Sequence, residues 1–276
     1  MRFSTPRSAR LAGAAVAIAA LTSSLAACSP AAEIPEGVEN LGTVKVGALQ
    51  TPAGDILEFV ADNLAADAGL TIEFVPFTDY NTPNIALSDG STDANLFQNS
   101  TFLETYNTEA GGDLVSLGEI YLPSAAFYSD KVESLADLAD GAKIAVPNDP
   151  TNEGRALKIL AGEGLIETTD EPTTLDDITA NPRNFEFVEI ENATLAQAVA
   201  DVDTAFVTIS FALPAGLTSE DAILIESADS PYYNVLATTP ALESDPRVVK
   251  LKELLLSDET KDFINETWGG LVIPVS

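Results

Sequence analysis

The chain has no histidine and a single cysteine, Cys28, in 276 residues. Imidazole or thiolate metal sites and Ser-His or Cys-His nucleophilic catalysis are therefore excluded. No run of alternating acids around a central glycine suggests a calcium loop, so neither a metal nor a cofactor is expected. Basic residues are also scarce: 13 Lys and Arg stand against 43 Asp and Glu, a net charge of −30. A surface of that sign repels nucleic acid and anionic lipid, and no nucleic-acid partner is expected. The apolar run from Leu11 to Leu21 is shorter than the roughly 20 residues a spanning helix needs.

That run has another use. Arg2, Arg7 and Arg10 precede it, and Leu25-Ala26-Ala27-Cys28 follows, the order of an export signal. Cleavage before Cys28 leaves residues 1–27 as signal peptide and makes Cys28 the lipidation site, carrying palmitate-type acyl chains. A lone thiol would be out of place in an oxidising compartment, whereas an acylated one is an anchor. The expected address is the extracytoplasmic face of a cell membrane. The mature chain keeps 10 basic and 43 acidic residues, a net charge of −33. Its 46% apolar content still argues for a folded body.

Residues 28–42 are small, polar and proline-bearing, and read as the lipidated cysteine and a flexible tether. From Thr43 strands and helices alternate. Thr43 to Leu49 is a β-rich run, and Thr51-Pro52 supplies an N-cap and a first-turn proline for a helix closed by Gly69. Further strands are expected at 71–77, 93–97, 143–147, 185–190, 204–209 and 223–227. Helices are expected from Thr82-Pro83 to Gly90 and at 101–109, 135–138, 150–162, 195–202, 245–256 and 258–268. The alternation predicts an α/β protein with mainly parallel sheets covered by helices. About 235 folded residues predict two lobes. These are residues 43–122 with 234–276, and residues 123–233.

The segment richest in chemistry runs from Lys143 to Leu157, where a strand passes through a polar turn into a helix N-terminus. Free N–H groups and the helix dipole favour an anion there, and Arg155, one turn inside, offers a bidentate grip on a carboxylate. The alternative is that Arg155 pairs with one of the chain's own acids. Asn148 is equally readable as a helix cap, Asn234 as a turn residue, and Tyr80 and Phe97 as core aromatics.

Asn148 to Leu157, Phe77-Thr78-Asp79-Tyr80, Pro83-Asn84, Leu87-Ser88-Asp89-Gly90 and Asp229-Ser230-Pro231-Tyr232 together resemble the NlpA-type methionine-binding lipoproteins, substrate-binding subunits of ABC importers. The resemblance extends from about Val44 to Val275, including Gly269 to Pro274. It implies a two-lobed, periplasmic-binding-protein-like fold of type II, hinged at 121–123 and 227–233. It also implies a methionine-like amino-acid ligand, an ABC permease as partner and a monomer. Carried over by position, Arg155 binds the ligand carboxylate. Asn148 and Asn234 hold the charged backbone end of the ligand, and Tyr80 and Phe97 wall the side-chain pocket.

The chain departs from the family where Phe-Phe-Gln-His-x-Pro-Tyr is usual and Leu96-Phe97-Gln98-Asn99-Ser100-Thr101-Phe102 stands instead. Thr208 replaces a family asparagine, and a histidine is missing near Gly54-Asp55. Asn99, Phe102 and Thr208 are thus the pocket positions at which the ligand can differ from methionine. Two rivals stand beside a binding protein. One is an enzyme using a carboxyl pair such as Asp149 and Glu153. The other is a surface lipoprotein with a vestigial pocket.

Overall fold

The structure is a computed structural model that describes residues 34–276. The export segment, Cys28 and the start of the tether lie outside the described residues. In chain order the strands are β1 (Gly42–Leu49), β2 (Leu70–Phe77), β3 (Ala94–Asn99), β4 (Val115–Pro123), β5 (Ala125–Tyr128), β6 (Lys143–Pro147), β7 (Glu167–Thr168), β8 (Ile178–Ala180), β9 (Glu186–Ile190), β10 (Thr204–Thr208), β11 (Ala222–Ile225), β12 (Asn234–Thr238) and β13 (Val272–Pro274). The α-helices are α1 (Asp55–Val60), α2 (Pro83–Ser88), α3 (Ser100–Ala110), α4 (Pro150–Gly162), α5 (Asn192–Ala198), α6 (Ile209–Ala212), α7 (Pro246–Leu255) and α8 (Asp258–Trp268).

Two sheets carry these elements. A six-stranded sheet has the order β13-β4-β12-β3-β1-β2, and a five-stranded sheet the order β11-β5-β10-β6-β9. The chain passes between them twice: at Ser124, between β4 and β5, and along 226–233, between β11 and β12. Each sheet is covered on both faces. Against the larger, α1, α7 and α8 bury Ile56, Leu57, Val248, Leu251 and Ile264, while Leu87 and Leu103 pack on the other side. Against the smaller, α4 contributes Ala156, Leu157 and Leu160, and α5 contributes Leu195 to the opposite face. The last two helices thus pack on the sheet that holds β1 to β4.

In each sheet four strands run in one direction, and an antiparallel minority makes the sheets mixed. Strands β1, β2 and β3 are joined in parallel, as are β6, β9 and β10. Strand β12 runs antiparallel to β3 and β4, β13 runs antiparallel to β4, and β5 runs antiparallel to β10 and β11. The reason lies in the connectivity: β5 and β12 receive the chain directly from a strand of the other sheet and run against the strands that arrive through helices, whereas β4 and β11, which send it across, run with them. β3, β10 and β12 are buried along their whole length, so they show no polar-apolar alternation.

One local expectation holds and one changes. Thr51 is extended (φ −120°, ψ 135°), as an N-cap residue is, and the backbone is helical from Pro52; the Thr51 hydroxyl donates to Asp55 Oδ2 at 2.8 Å, and the regular α-helical repeat begins at Asp55. The end of the expected tether is docked: Leu41 N–H donates to Gly69 O at 2.7 Å and Leu41 packs on the core. Gly69 has φ +73°, and a Cβ there would lie 1.9 Å from Glu39 O, so this contact requires glycine.

Candidate functional site

The site is built outward from the start of α4. Strand β6 ends at Pro147, and Asp149 caps the helix by accepting from Asn152 N–H at 3.0 Å, with Pro150 in the first turn. The same carboxylate accepts from Asn152 Nδ2 at 3.1 Å and from Asn192 Nδ2 at 2.6 Å, which fixes Asn152 and the start of α5. Asp149, not Asn148, is therefore the cap. Asn148 is exposed and its N–H donates to Ile190 O at 3.0 Å. Asn152, buried and one turn before Arg155 on the same helix face, lines the cleft instead. Its i, i+3 spacing from Arg155 was the signal that could have found it.

Arg155 is 2% exposed. Its Nε donates to Glu226 Oε1 at 2.8 Å, and its Nη2 donates to Pro123 O at 2.9 Å and to Glu226 Oε2. The guanidinium carbon lies 4.8 Å from the centre of the Tyr232 ring, within cation–π range. Both alternatives drawn from the sequence thus hold together: Arg155 pairs with a resident acid and also lines the cleft. Glu226 is 71 residues away, and nothing local in the sequence marks it.

Between the sheets lies about 300 Å³ of atom-free space, lined by Tyr80, Phe97, Gln98, Asn99, Phe102, Pro123, Asn152, Arg155, Thr208 and Asn234. Of the candidate residues from the sequence, Arg155, Asn234, Tyr80, Phe97, Asn99, Phe102 and Thr208 come together here, while Asn148 does not. The mixture of aromatic and polar walls suits a small molecule.

The aromatic wall centres on Tyr80, whose ring lies 5.9 Å from those of Phe97 and Phe102 and 4.9 Å from that of Phe211. The Tyr80 hydroxyl and Thr208 Oγ1 are 3.0 Å apart, a hydrogen bond that joins the loop after β2 to the end of β10 and so ties the two sheets across the cleft. Burial pushes the Tyr80 hydroxyl pKa up, against the opposing pull of hydrogen bonds from Thr208 and Ser210. Asn234 Nδ2 donates to the Tyr121 hydroxyl at 3.1 Å, which leaves its Oδ1 as the acceptor for a ligand. Asn99 Oδ1 accepts from Phe102 N–H at 2.9 Å and caps α3, so only its Nδ2 remains to be donated.

Behind the wall is a buried amide network. Asn84 and Gln98 exchange two side-chain hydrogen bonds of 2.7 Å each, and Asn95 Nδ2 donates to Pro83 O at 2.8 Å. Pro83-Asn84 therefore acts as a brace for β3 and not as a ligand contact.

Glu153, one residue beyond Asn152, is 2% exposed, and its Oε1 has no hydrogen-bond partner. Burial first, and then the charge of Glu189, raise its pKa from 4.5 to about 7. Asp149 and Asp177 add to this, while the backbone N–H of Leu175 opposes it. The folded protein thus holds a proton that the unfolded chain releases above pH 4.5. Stability from this group is full below that pH and is lost as the pH rises to about 7. The loss should be on the order of 2–3 kcal/mol. Urea titrations across pH 4–8 should show this decline, and Glu153→Gln should flatten it; an unchanged slope would remove Glu153 as its source.

Among the described residues no cluster of His, Cys, Asp and Glu is arranged to hold a metal ion, and no helix is long and apolar enough to cross a membrane.

The profile of the family described as NlpA lipoprotein matches residues 44–276. The D-methionine-binding lipoprotein MetQ of Salmonella typhi is 39% identical over 235 residues, spanning 82% of this chain and 86% of that protein. The solved structure of a nutrient binding protein from Burkholderia cenocepacia bound to methionine aligns with a TM-score of 0.81 at 36% identity, covering 84% of this chain and 100% of that one. An ABC transporter, periplasmic substrate-binding protein from Coxiella burnetii gives a TM-score of 0.79 at 39% identity, with 84% and 100% covered. The two sheets and their helices form the two-lobed fold of substrate-binding proteins. Since the match runs through both sheets and includes every residue that lines the cleft, the chain belongs to the NlpA lipoprotein family.

Proposed function

We propose that this chain is the lipid-anchored, extracytoplasmic binding protein of an ABC importer and that it closes over one free amino acid, methionine first among the candidates. The observation that carries the reading is a buried guanidinium, one turn inside a helix N-terminus, in the wall of an aromatic-lined cleft between two lobes. Arg155 takes the ligand carboxylate. Asn234 Oδ1 and the Thr208 hydroxyl accept from its ammonium, and Tyr80, Phe97 and Phe102 enclose its side chain. Asn152 supplies the amide assigned from the sequence to Asn148, which is exposed. The lobes are 43–122 with 234–276, and 123–233. The two crossings at Ser124 and 226–233 act as the hinge, and Cys28 carries the acyl chains. The protein works as a monomer and delivers its ligand to a membrane permease, without chemical turnover. The names of the relatives, D-methionine-binding and bound to methionine, support the ligand class.

A second reading keeps the fold and changes the amino acid. It rests on Thr208, whose hydroxyl is already engaged by Tyr80 and is a shorter reach than an asparagine. Thermal unfolding of the protein, refolded from denaturant to strip carried ligand, decides between them. A ligand at about 1,000 times its dissociation constant adds roughly 4 kcal/mol to stability. A shift with L- or D-methionine supports the first reading, and a shift with another amino acid alone supports the second. No shift with any amino acid refutes both.

A further inference from the structure

Among the described residues that line the cleft, Arg155 alone is charged, and that charge is already matched. Glu226 holds it on the Nε and Nη2 edge, with side-chain exposures of 2% for the arginine and 7% for the glutamate. Ser230 Oγ donates to Glu226 Oε1 at 2.9 Å, which locks the carboxylate in place. The fork is further fixed by Pro123 O on one crossing between the sheets and by the ring of Tyr232 on the other. Arg155 and Glu226 therefore enter the site as a neutral unit. A ligand carboxylate that docks on the guanidinium becomes a second anion beside one cation, in a space largely shielded from water. The other polar groups that line the cleft, among them Asn234, Asn99 and Thr208, are uncharged and cannot balance it. The nearby Asp149, whose charge is felt at Tyr80, adds to the negative field.

From this we propose that Glu226 is a positioning residue that also sets the charge of the site, so that the cleft takes up zwitterions and rejects simple carboxylates of the same shape. An α-amino acid brings its own ammonium within two bonds of the carboxylate carbon and leaves the closed site neutral. A desamino acid leaves one negative charge buried without a partner. The inference rests on the reading of the cleft as an amino-acid site and adds the element that separates amino acids from other acids. Specificity arises here from a repulsive element as well as from the attractive ones.

The test is calorimetric titration of the purified protein and of Glu226→Gln with L-methionine and with 4-(methylthio)butanoate, its desamino analogue. Glutamine keeps the shape and an acceptor oxygen for Arg155 and Ser230 while removing the charge. The wild-type protein should favour methionine by at least about 100-fold, and Glu226→Gln should reduce that preference at least about tenfold, with the analogue binding more tightly in absolute terms, a step of about 1.4 kcal/mol. Ser230→Ala, which loosens the carboxylate but keeps its charge, should leave the preference unchanged. A gain for the analogue cannot come from general damage to the fold. The proposal is overturned if Glu226→Gln weakens both ligands in parallel. It is overturned without any variant if the wild-type protein binds the analogue within threefold of methionine. If the wild-type protein binds neither compound nor any other amino acid, the reading of the cleft itself fails.

Discussion

Arg155→Ala should weaken methionine binding by about 2–5 kcal/mol, between roughly 30-fold and several thousand-fold. Among the described residues the guanidinium is the only cation that lines the cleft, and at 2% exposure its field is little screened by water. Its removal also leaves Glu226 buried beside an incoming carboxylate, so the loss combines a missing attraction with an exposed repulsion. The same substitution should lower folding stability, because a buried carboxylate without a partner is unfavourable. Titration with methionine and urea unfolding of the same preparation separate the two effects. Arg155→Lys restores the charge but not the planar fork that reaches Glu226 and Pro123 O together, and should recover only part of the affinity. Affinity within threefold of the wild type in Arg155→Ala would remove this residue from the ligand site.

Gly154→Ala should have the largest effect on the fold itself. Within a helix alanine is favoured over glycine by about 1 kcal/mol. Here a Cβ would lie 2.0 Å from Pro172 O and 3.4 Å from Thr173 Cα, and because both neighbours are backbone no side chain can turn aside. Either α4 or the segment at 172–173 must shift, at about 2–3 kcal/mol or more. A shift of α4 carries Asn152 and Arg155 with it, so methionine affinity should fall as well. Gly162 is the internal control: it ends the same helix, and a Cβ there meets nothing within 4 Å. Gly162→Ala should be neutral or stabilising by up to about 1 kcal/mol. Equal urea midpoints for the two variants would show that the close approach at Pro172 exerts no constraint.

Much of the scaffold around the site was legible because its signals are local. The strand Lys143–Pro147, the helix Pro150–Gly162 and the helix Asp258–Trp268 fall where the sequence placed them. The two helices have local start signals: Asp149 before Pro150 accepts from Asn152 N–H, and Ser257 accepts from Thr260 N–H. The strands β4, β5, β12 and β13 were not legible. β5 and β12 are short and wholly buried, so no alternation marks them, and a run such as Asn234–Thr238 becomes a strand only because β3 and β4 flank it. Thr51-Pro52 was legible because its signal is local: Thr51 is extended, its hydroxyl donates to Asp55, and the helical backbone starts at Pro52.

The same division holds in the site. Composition left no histidine for imidazole chemistry, and the strand-turn-helix around Arg155 marked a place where an anion could be received, because both depend on residue type and near neighbours. Which groups face that arginine was decided by tertiary structure alone. Glu226 reaches it across 71 residues and Thr208 meets Tyr80 across 128, contacts that exist only after two sheets have folded and the chain has crossed between them. Helix geometry at the cap turned Asn148 out to solvent and Asn152 into the cleft, a difference of four residues that sequence pattern did not resolve. The sequence by itself determined the fold class and the cation at the centre of the site. The charge balance around that cation came from packing, since the field at a buried group is set by what lies within a few ångströms in space and not by what lies beside it in the chain.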